Sequence, residues 1–205
     1  MRRQAGGVRR SPFADASRVP AFARRRLCTT MEAMKPQRRL IVMRHGKAGD
    51  LPGGPDIERA LRPRGRRDAT AAGRWLAGRG VLPDLVLCSK ARRARQTWQH
   101  VAAELGGAPR VVNDPRLYGA GADELLGIVG ETGPDVTNLM YVGHNPAAAE
   151  LADILTGEMV DFPTSAIAVI GLAVPWSELE DAATTARTAG TGALIAAWKP
   201  RDEAA

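Results

Sequence analysis

Three short apolar runs of this 205-residue chain are each followed at once by polar side chains that could do chemistry. The three stretches are Arg44-His45-Gly46, Ser89-Lys90 with Arg92, Arg93 and Arg95 after it, and Gly143-His144-Asn145-Pro146. A guanidinium offers a planar fork of donors that matches phosphate oxygens. A neutral imidazole can attack phosphorus, and a second imidazole can donate a hydrogen bond to the charge that develops. The combination predicts a pocket for a phosphoryl group.

The sequence does not support other ways of binding phosphate or activating water. The glycines near His45 lack the Gly-Lys-Ser/Thr that completes a Walker loop. No carboxylates recur at a metal-binding spacing, and Cys28 and Cys88 are too few and too far apart for a zinc site or a disulfide framework. We therefore predict that protein side chains alone supply the positive charge, with no metal ion and no cofactor.

The pattern of apolar residues predicts the elements that must position these side chains. Short apolar runs alternate with segments of helical period, which is typical of an α/β protein with a mostly parallel sheet. The predicted strands cover residues 40–43, 85–88, 110–112, 139–142, 166–172 and 193–198, and the predicted helices cover 63–78, 91–105, 122–129 and 147–155. We expect a three-layer sandwich with helices on both faces of the sheet. Ligands of such sheets bind beyond the carboxyl ends of the strands, where His45 and His144 lie.

The net charge of +7 belongs to one end of the chain. Residues 1–39 hold 11 Lys/Arg against two acidic residues, whereas residues 40–205 hold 18 basic and 20 acidic residues, a net charge of −2. Total charge alone would suggest a nucleic-acid or membrane partner, but the body of the chain does not support one. We predict a disordered basic extension over residues 1–37 and one catalytic domain over residues 38–205. We also predict no nucleic-acid or membrane partner and a cytoplasmic location.

Two interpretations of the basic extension stay open. It is rich in arginine and poor in acidic residues, as an organelle transit peptide is, but it lacks the apolar core of a secretory signal. Alternatively, translation starts at Met31 or Met34, and this is the interpretation that we favour. The oligomeric state is not determined by the sequence.

Four stretches resemble a known family. Residues 41–46, Ile-Val-Met-Arg-His-Gly, resemble the signature of the histidine phosphatase superfamily, which has the phosphoglycerate-mutase-like fold. The other three resemble its short SixA-type phosphohistidine phosphatases and follow in the same order along the chain. They are Asp56-Ile57-Glu58-Arg59-Ala60-Leu61 with Gly65 after it, Ser89-Lys90-Ala91-Arg92-Arg93-Ala94-Arg95-Gln96-Thr97, and Thr164-Ser165-Ala166-Ile167-Ala168. The likeness runs from residue 39 to about residue 199.

This resemblance implies a role for each residue that matches the family motifs. His45 would be the nucleophile and the transient phosphohistidine. Arg44 and Arg93 would bind the phosphoryl oxygens, and His144 would complete the pocket.

Two further residues are candidates for substrate binding. We expect Arg59 at the rim or in a structural role, and we expect Ser89 to be the N-cap of the helix that carries Arg93. The resemblance also implies a gap, because larger phosphomonoesterases of the superfamily carry an acidic proton donor on an insertion for which this chain has little room. Asp123 and Glu124 lie in that neighbourhood, but we predict that neither is the donor.

The missing acid bears on the substrate. An alkoxide leaving group needs a proton in the transition state, whereas the imidazole of a phosphohistidine leaves more easily. We therefore expect a phosphohistidine phosphatase that acts on phosphoproteins. The alternatives are a phosphatase of small phosphomonoesters or pyrophosphates and, in another class, a non-catalytic phosphate-binding module.

Overall fold

The computed structural model describes residues 38–181 and 191–201. The predicted basic extension and part of the connection before the last predicted strand lie outside the described residues, so the domain boundary after residue 37 stays a prediction. The strands are β1 (Arg38–Arg44), β2 (Leu85–Ser89), β3 (Arg110–Asp114), β4 (Asn138–Gly143), β5 (Ile167–Leu172) and β6 (Gly192–Trp198). The helices are α1 (Pro63–Ala77), α2 (Arg92–Ala102), α3 (Ala122–Gly130) and α4 (Ala147–Thr156).

All six strands form one sheet in the order β3-β2-β4-β1-β5-β6. The first four strands of the chain run parallel to one another, as expected where a helical crossover joins each to the next. β5 runs antiparallel to β1, and β6 runs antiparallel to β5. The prediction of a mostly parallel sheet is confirmed. Strands β1 to β4, which include the two strands that His45 and His144 follow, are parallel, while β5 and β6 add an antiparallel edge.

Helices cover both faces of this sheet. Successive side chains of β1 point to opposite faces, so Leu40 and Val42 pack on one side while Ile41 and Met43 pack on the other, all fully buried. Helices α3 and α4 contribute to the first layer of core, and α1 and α2 contribute to the second. The predicted three-layer sandwich is confirmed, and burial on both faces explains why the central strands appear as continuous apolar runs.

The helices follow the predicted segments with one correction. α2 ends at Ala102 rather than at residue 105, because Glu104 and Leu105 donate to carbonyls three residues back, at Val101 and Ala102, and so tighten the chain into a turn. Leu105 nevertheless stays buried in the core, which is why it matched the helical period. Within the described residues no helix is long and apolar enough to cross a membrane.

Candidate active site

The two histidines meet at one edge of the sheet. β1 and β4 are parallel neighbours with Arg44 opposite Gly143, so the residues that follow them, His45 and His144, leave the sheet side by side. Their ring centroids are 5.0 Å apart and the ring planes are inclined by 61°. β2 is the next strand along, and α2 begins just after it, which brings Arg93 to the same edge.

Hydrogen bonding fixes the tautomer of His45. Its Nδ1 lies 2.8 Å from the carbonyl oxygen of Gly46, and because a carbonyl can only accept, Nδ1 carries the proton. The lone pair is therefore on Nε2, which receives a hydrogen bond of 3.2 Å from Nε of Arg93. Burial, followed by the nearby His144, Arg93 and Arg44, outweighs the Gly46 hydrogen bond and lowers the pKa of His45 to about 3. His45 is thus a neutral imidazole with its nucleophilic nitrogen directed at a guanidinium.

Arg93 contacts both histidines and Asp56, and its guanidinium is almost fully buried. Besides the contact with His45, Nη1 donates to the backbone carbonyl of Asp56 at 2.8 Å, and Nη2 lies 2.9 Å from Oδ2 of Asp56 and 3.5 Å from Nδ1 of His144. The Thr97 hydroxyl donates to the Arg93 carbonyl at 2.6 Å and accepts from the N–H of Gly46 at 2.9 Å. Thr97 thereby ties the helix that carries Arg93 to the loop that carries His45.

The imidazole of His144 forms a hydrogen bond with Ser89. Its Nε2 lies 2.8 Å from the Ser89 hydroxyl, which is fully buried, and its backbone N–H donates to the Tyr141 hydroxyl at 3.1 Å. Burial and then the charge of Arg93 lower the pKa of His144 to about 4. The prediction that Ser89 is a helix N-cap is wrong, because Ala91 occupies that position without a side-chain cap. The serine hydroxyl instead accepts from the Ala91 N–H at 3.3 Å and contacts the imidazole.

Arg44 reaches the same pocket from the end of β1. One guanidinium nitrogen, Nη1, donates to the Phe162 carbonyl at 2.9 Å, while Nε is buried without a hydrogen-bond partner among the described residues. Burial lowers the pKa of this guanidinium, and its charge in turn lowers the pKa of both histidines. We call the four side chains of His45, Arg93, His144 and Ser89 the pocket floor, and Arg44 lies beside it.

Close packing behind His45 depends on two glycines. A Cβ on Gly46 would lie 2.7 Å from the carbonyl oxygen of Gly65, and a Cβ on Gly65 would collide with the backbone of Lys47. The start of α1 can therefore approach the loop that carries His45 only because both residues lack a side chain. This accounts for the glycine that follows the Arg59 stretch in the sequence.

A network of ion pairs and hydrogen bonds joins Arg93 to more exposed side chains. We call Asp50, Asp56, Arg59, Arg62 and Tyr118 the rim. Asp56 accepts from Tyr118 Oη at 2.8 Å through Oδ2 and from Arg59 Nη1 at 2.9 Å through Oδ1. These hydrogen bonds, with that of Arg93, hold the pKa of Asp56 far below its usual range. Asp56 is therefore an ionised carboxylate in direct contact with the guanidinium of Arg93.

The remaining rim contacts are between exposed groups. Arg59 donates through Nε to the Gly49 carbonyl at 2.8 Å, and its Nη2 lies 3.4 Å from Asp50. Asp50 also pairs with Arg62 at 3.1 Å. Arg59 thus braces the loop between β1 and α1, and its contact with Asp56 links it to Arg93. A part for Arg59 in substrate binding stays a prediction.

Asp56 and Tyr118 were not predicted from the sequence as site residues. Asp56 stands in a family-like stretch in which we assigned a role to Arg59 alone, and Tyr118 follows β3 without any motif. Tyr118 lies with its ring centroid 5.6 Å from that of His144. One available signal was that a tyrosine follows the carboxyl end of a strand, the edge where ligands bind.

Asp123 and Glu124 begin α3, and neither hydrogen-bonds nor pairs with the two histidines in the described part of the chain. Glu124 accepts from the Gly121 N–H at 3.0 Å and so caps its own helix. Over the same described ranges, 38–181 and 191–201, no three His, Cys, Asp or Glu side chains are grouped in a way that could hold a metal ion. The prediction that neither acid is a proton donor stays a prediction that this geometry supports.

Comparison with known proteins gives a consistent result. Residues 40–129 match the model of the histidine phosphatase superfamily (branch 1). An uncharacterized protein of Mycobacterium tuberculosis is 37% identical over 170 residues, which is 78% of this chain and all of that protein. A Nakamurella multipartitia protein assigned as the phosphohistidine phosphatase SixA superposes with a TM-score of 0.66 at 31% identity, over 80% of this chain and 96% of that one. The protein histidine phosphatase SixA complexed with tungstate superposes with a TM-score of 0.56 at 30% identity, over 65% of this chain and 88% of that one.

Proposed function

This chain belongs to the histidine phosphatase superfamily, within its SixA-type branch, and from that premise we propose that it hydrolyses phosphohistidine in phosphoproteins. Membership makes the chain a hydrolase that acts on phosphorylated compounds. The choice of phosphohistidine, the protein nature of the substrate and a cytoplasmic location are parts of the proposal. So are the roles of the individual residues.

One observation carries the proposal. The nucleophilic Nε2 of His45 lies against Arg93 and near His144, while the acid in contact with this group, Asp56, is ionised and unable to protonate a leaving group. A site of this kind stabilises charge on the phosphoryl oxygens but gives no general-acid help. It is suited to a leaving group that departs without receiving a proton from a carboxylic acid, as imidazole does.

The reaction proceeds in two displacements. Nε2 of His45 attacks phosphorus, the bond between phosphorus and the substrate imidazole breaks, and its electron pair stays on the departing nitrogen. Water then attacks the phosphorus on His45, the bond to Nε2 breaks, inorganic phosphate leaves, and one proton of the water passes to solvent. The carbonyl of Gly46 keeps the proton of His45 on Nδ1, so Nε2 is free to serve as nucleophile and then as leaving group.

The cationic side chains bind the three phosphoryl oxygens. Arg93 exchanges its contact with His45 Nε2 for the phosphoryl group, and Arg44 offers the buried Nε. In the structure Nδ1 of His144 faces Nη2 of Arg93, which can only donate, so Nδ1 accepts and Nε2 carries the proton towards Ser89. To donate through Nδ1 to a phosphoryl oxygen, His144 exchanges this contact for the phosphoryl group while the Ser89 hydroxyl donates to Nε2. Ser89 is therefore a positioning residue for His144 rather than a direct ligand of the substrate.

Substrate comparison tests the proposal. The purified protein is assayed at matched concentrations with a phosphohistidine peptide, phosphoramidate, an alkyl phosphate such as glycerol phosphate, and pyrophosphate. We expect kcat/KM for the two P–N compounds to exceed that for the alkyl phosphate by about 10²-fold or more, the factor that general-acid help would otherwise supply. Added EDTA leaves these rates unchanged if no metal ion takes part. Faster hydrolysis of the alkyl phosphate or pyrophosphate would overturn the proposal.

A further inference from the structure

The two displacement steps proposed above assign no role to Asp56. The guanidinium of Arg93 bridges the nucleophile and this carboxylate, with Nε on His45 Nε2 and Nη2 on Asp56 Oδ2. The Arg93 side chain is 9% exposed, whereas that of Asp56 is 49% exposed. The carboxylate therefore lies on the solvent side of the guanidinium that it contacts. In the proposed function, a substrate on a protein surface enters and its leaving group departs on this side.

The surroundings of Asp56 allow it to accept hydrogen bonds but not to donate one. Three donors, from Arg59, Tyr118 and Arg93, point at its two oxygens. A carboxylate offers about four lone-pair positions, and Oδ1 accepts in the described part of the chain from side chains of Arg59 only, so one acceptor position is left there. These contacts keep the group anionic, because protonation would remove the negative charge that attracts the guanidinium groups of Arg59 and Arg93.

An anion at this position favours one kind of leaving group. An imidazole ring titrates near neutral pH, so the distal ring nitrogen of a phosphohistidine can carry a proton and the ring a positive charge. When the P–N bond breaks and its electron pair goes to the ring, that charge is neutralised and imidazole leaves with its distal N–H intact. An alkoxide or phenolate leaving group instead develops negative charge, which a neighbouring carboxylate opposes.

We propose that the Asp56 carboxylate accepts the distal N–H of the substrate imidazolium and so selects phosphohistidine over phosphate esters. This inference rests on the proposed function, since it assigns the leaving-group contact of that same site. Asp56 is then a specificity-determining residue with two contacts, one to Arg93 and one to the departing ring.

The test compares Asp56→Asn with the wild type on two substrates. One is a phosphohistidine peptide, and the other is p-nitrophenyl phosphate, whose leaving group departs as an anion without needing a proton. The variant keeps the shape of the side chain but loses its charge, and its amide NH2 donates where one carboxylate oxygen accepted. We expect kcat/KM for the phosphohistidine peptide to fall about 10- to 100-fold, as for loss of a charge-assisted hydrogen bond, while that for p-nitrophenyl phosphate stays level or rises.

Asp50→Asn is the matched control, because Asp50 pairs with the same Arg59 but contacts neither Arg93 nor a histidine. It should leave both rates and their ratio unchanged. An equal loss on both substrates for Asp56→Asn would overturn the inference, because the carboxylate would then only position Arg93. If the wild type itself does not prefer phosphohistidine over p-nitrophenyl phosphate, the proposed function fails. If the wild type does prefer phosphohistidine but Asp56→Asn leaves the ratio of the two kcat/KM values unchanged, only the inference about Asp56 fails.

Discussion

The pocket floor and the rim each contain arginine side chains, but in opposite surroundings. Arg93 and Arg59 both contact Asp56, yet the side chain of Arg93 is 9% exposed and that of Arg59 is 33% exposed. In the floor, burial lowers the pKa of both histidines and strengthens each electrostatic contact, since little water competes. At the rim, water screens the ion pairs, which are worth at most about 1 kcal/mol each. The type of a residue suggests what its side chain does, and its burial determines how strongly activity and stability depend on that side chain.

The largest effect is expected at the nucleophile. His45→Ala removes the atom that forms the covalent bond, so hydrolysis of a phosphohistidine peptide should fall by at least about 10⁴-fold. After incubation with ³²P-labelled substrate and an alkaline quench, the label should be found on the wild type and not on the variant. Circular dichroism and a urea titration serve as controls for folding. A variant that keeps more than a few per cent of the wild-type rate would place the nucleophile elsewhere.

Arg93→Ala should have the next largest effect. The fork that binds phosphoryl oxygens is lost, and the cost expected for one such donor is about 10²- to 10³-fold in kcat. Arg93→Lys should recover only part of the rate, because a single ammonium lacks the planar fork. Steady-state kinetics measure kcat for the two variants. Circular dichroism and a urea titration again serve as controls for folding. A wild-type kcat in Arg93→Ala would show that the floor does not depend on this side chain.

An intermediate effect is expected from pH. The pKa values of His45 and His144 lie at about 3 and about 4 in the folded protein, below the value near 6.5 of an unfolded chain. The unfolded chain therefore binds protons first, and the stability that comes from keeping both rings neutral is complete above pH 6.5 and lost as the pH falls towards 4. Urea unfolding between pH 7 and pH 4 measures this loss. His144→Gln should make the dependence shallower, whereas His100→Gln, on α2, should not.

The smallest effect is expected at the rim. Arg59→Gln removes ion pairs between partly exposed groups and keeps a side chain of similar length. We expect the free energy of unfolding to fall by about 1 kcal/mol or less and kcat/KM to change by no more than about threefold. Urea titration and steady-state kinetics at low and high salt measure both quantities. A loss as large as that of Arg93→Ala would mean that floor and rim are not energetically distinct.

The main features of the site were predictable because they depend on periodic elements. Arg44, His45 and His144 follow buried strands, and parallel strands bring their carboxyl ends to one edge whatever the details of the loops. Arg93 was predicted from a family-like stretch at the start of a helix. The same periodicity predicted the sheet and its two helical layers.

The remaining features of the site depend on contacts between residues that are far apart in the sequence. Such contacts leave no periodic pattern in the sequence. The carbonyl of Asp56 meets Arg93 across 37 residues, and its carboxylate meets Tyr118 across 62. Ser89 was assigned to a helix cap because capping is a local rule, whereas its partner, His144, lies 55 residues away, just after β4. Local sequence signals could not identify these pairs, which only the folded chain brings together.

The strand order has a consequence for when activity can arise. β4 lies between β1 and β2, and neither of those strands pairs with the other, so the nucleophile and Arg93 are joined through a strand that begins at Asn138. A nascent chain on the ribosome that has grown as far as residue 129 already contains most of the family signature but has no strand to bridge its two halves. If His144 completes the active site as proposed, hydrolysis can begin only after this residue has been synthesised and β4 has paired with β1 and β2. The first hydrolysis by a nascent chain would then report that synthesis has passed β4 and that the sheet has closed around it.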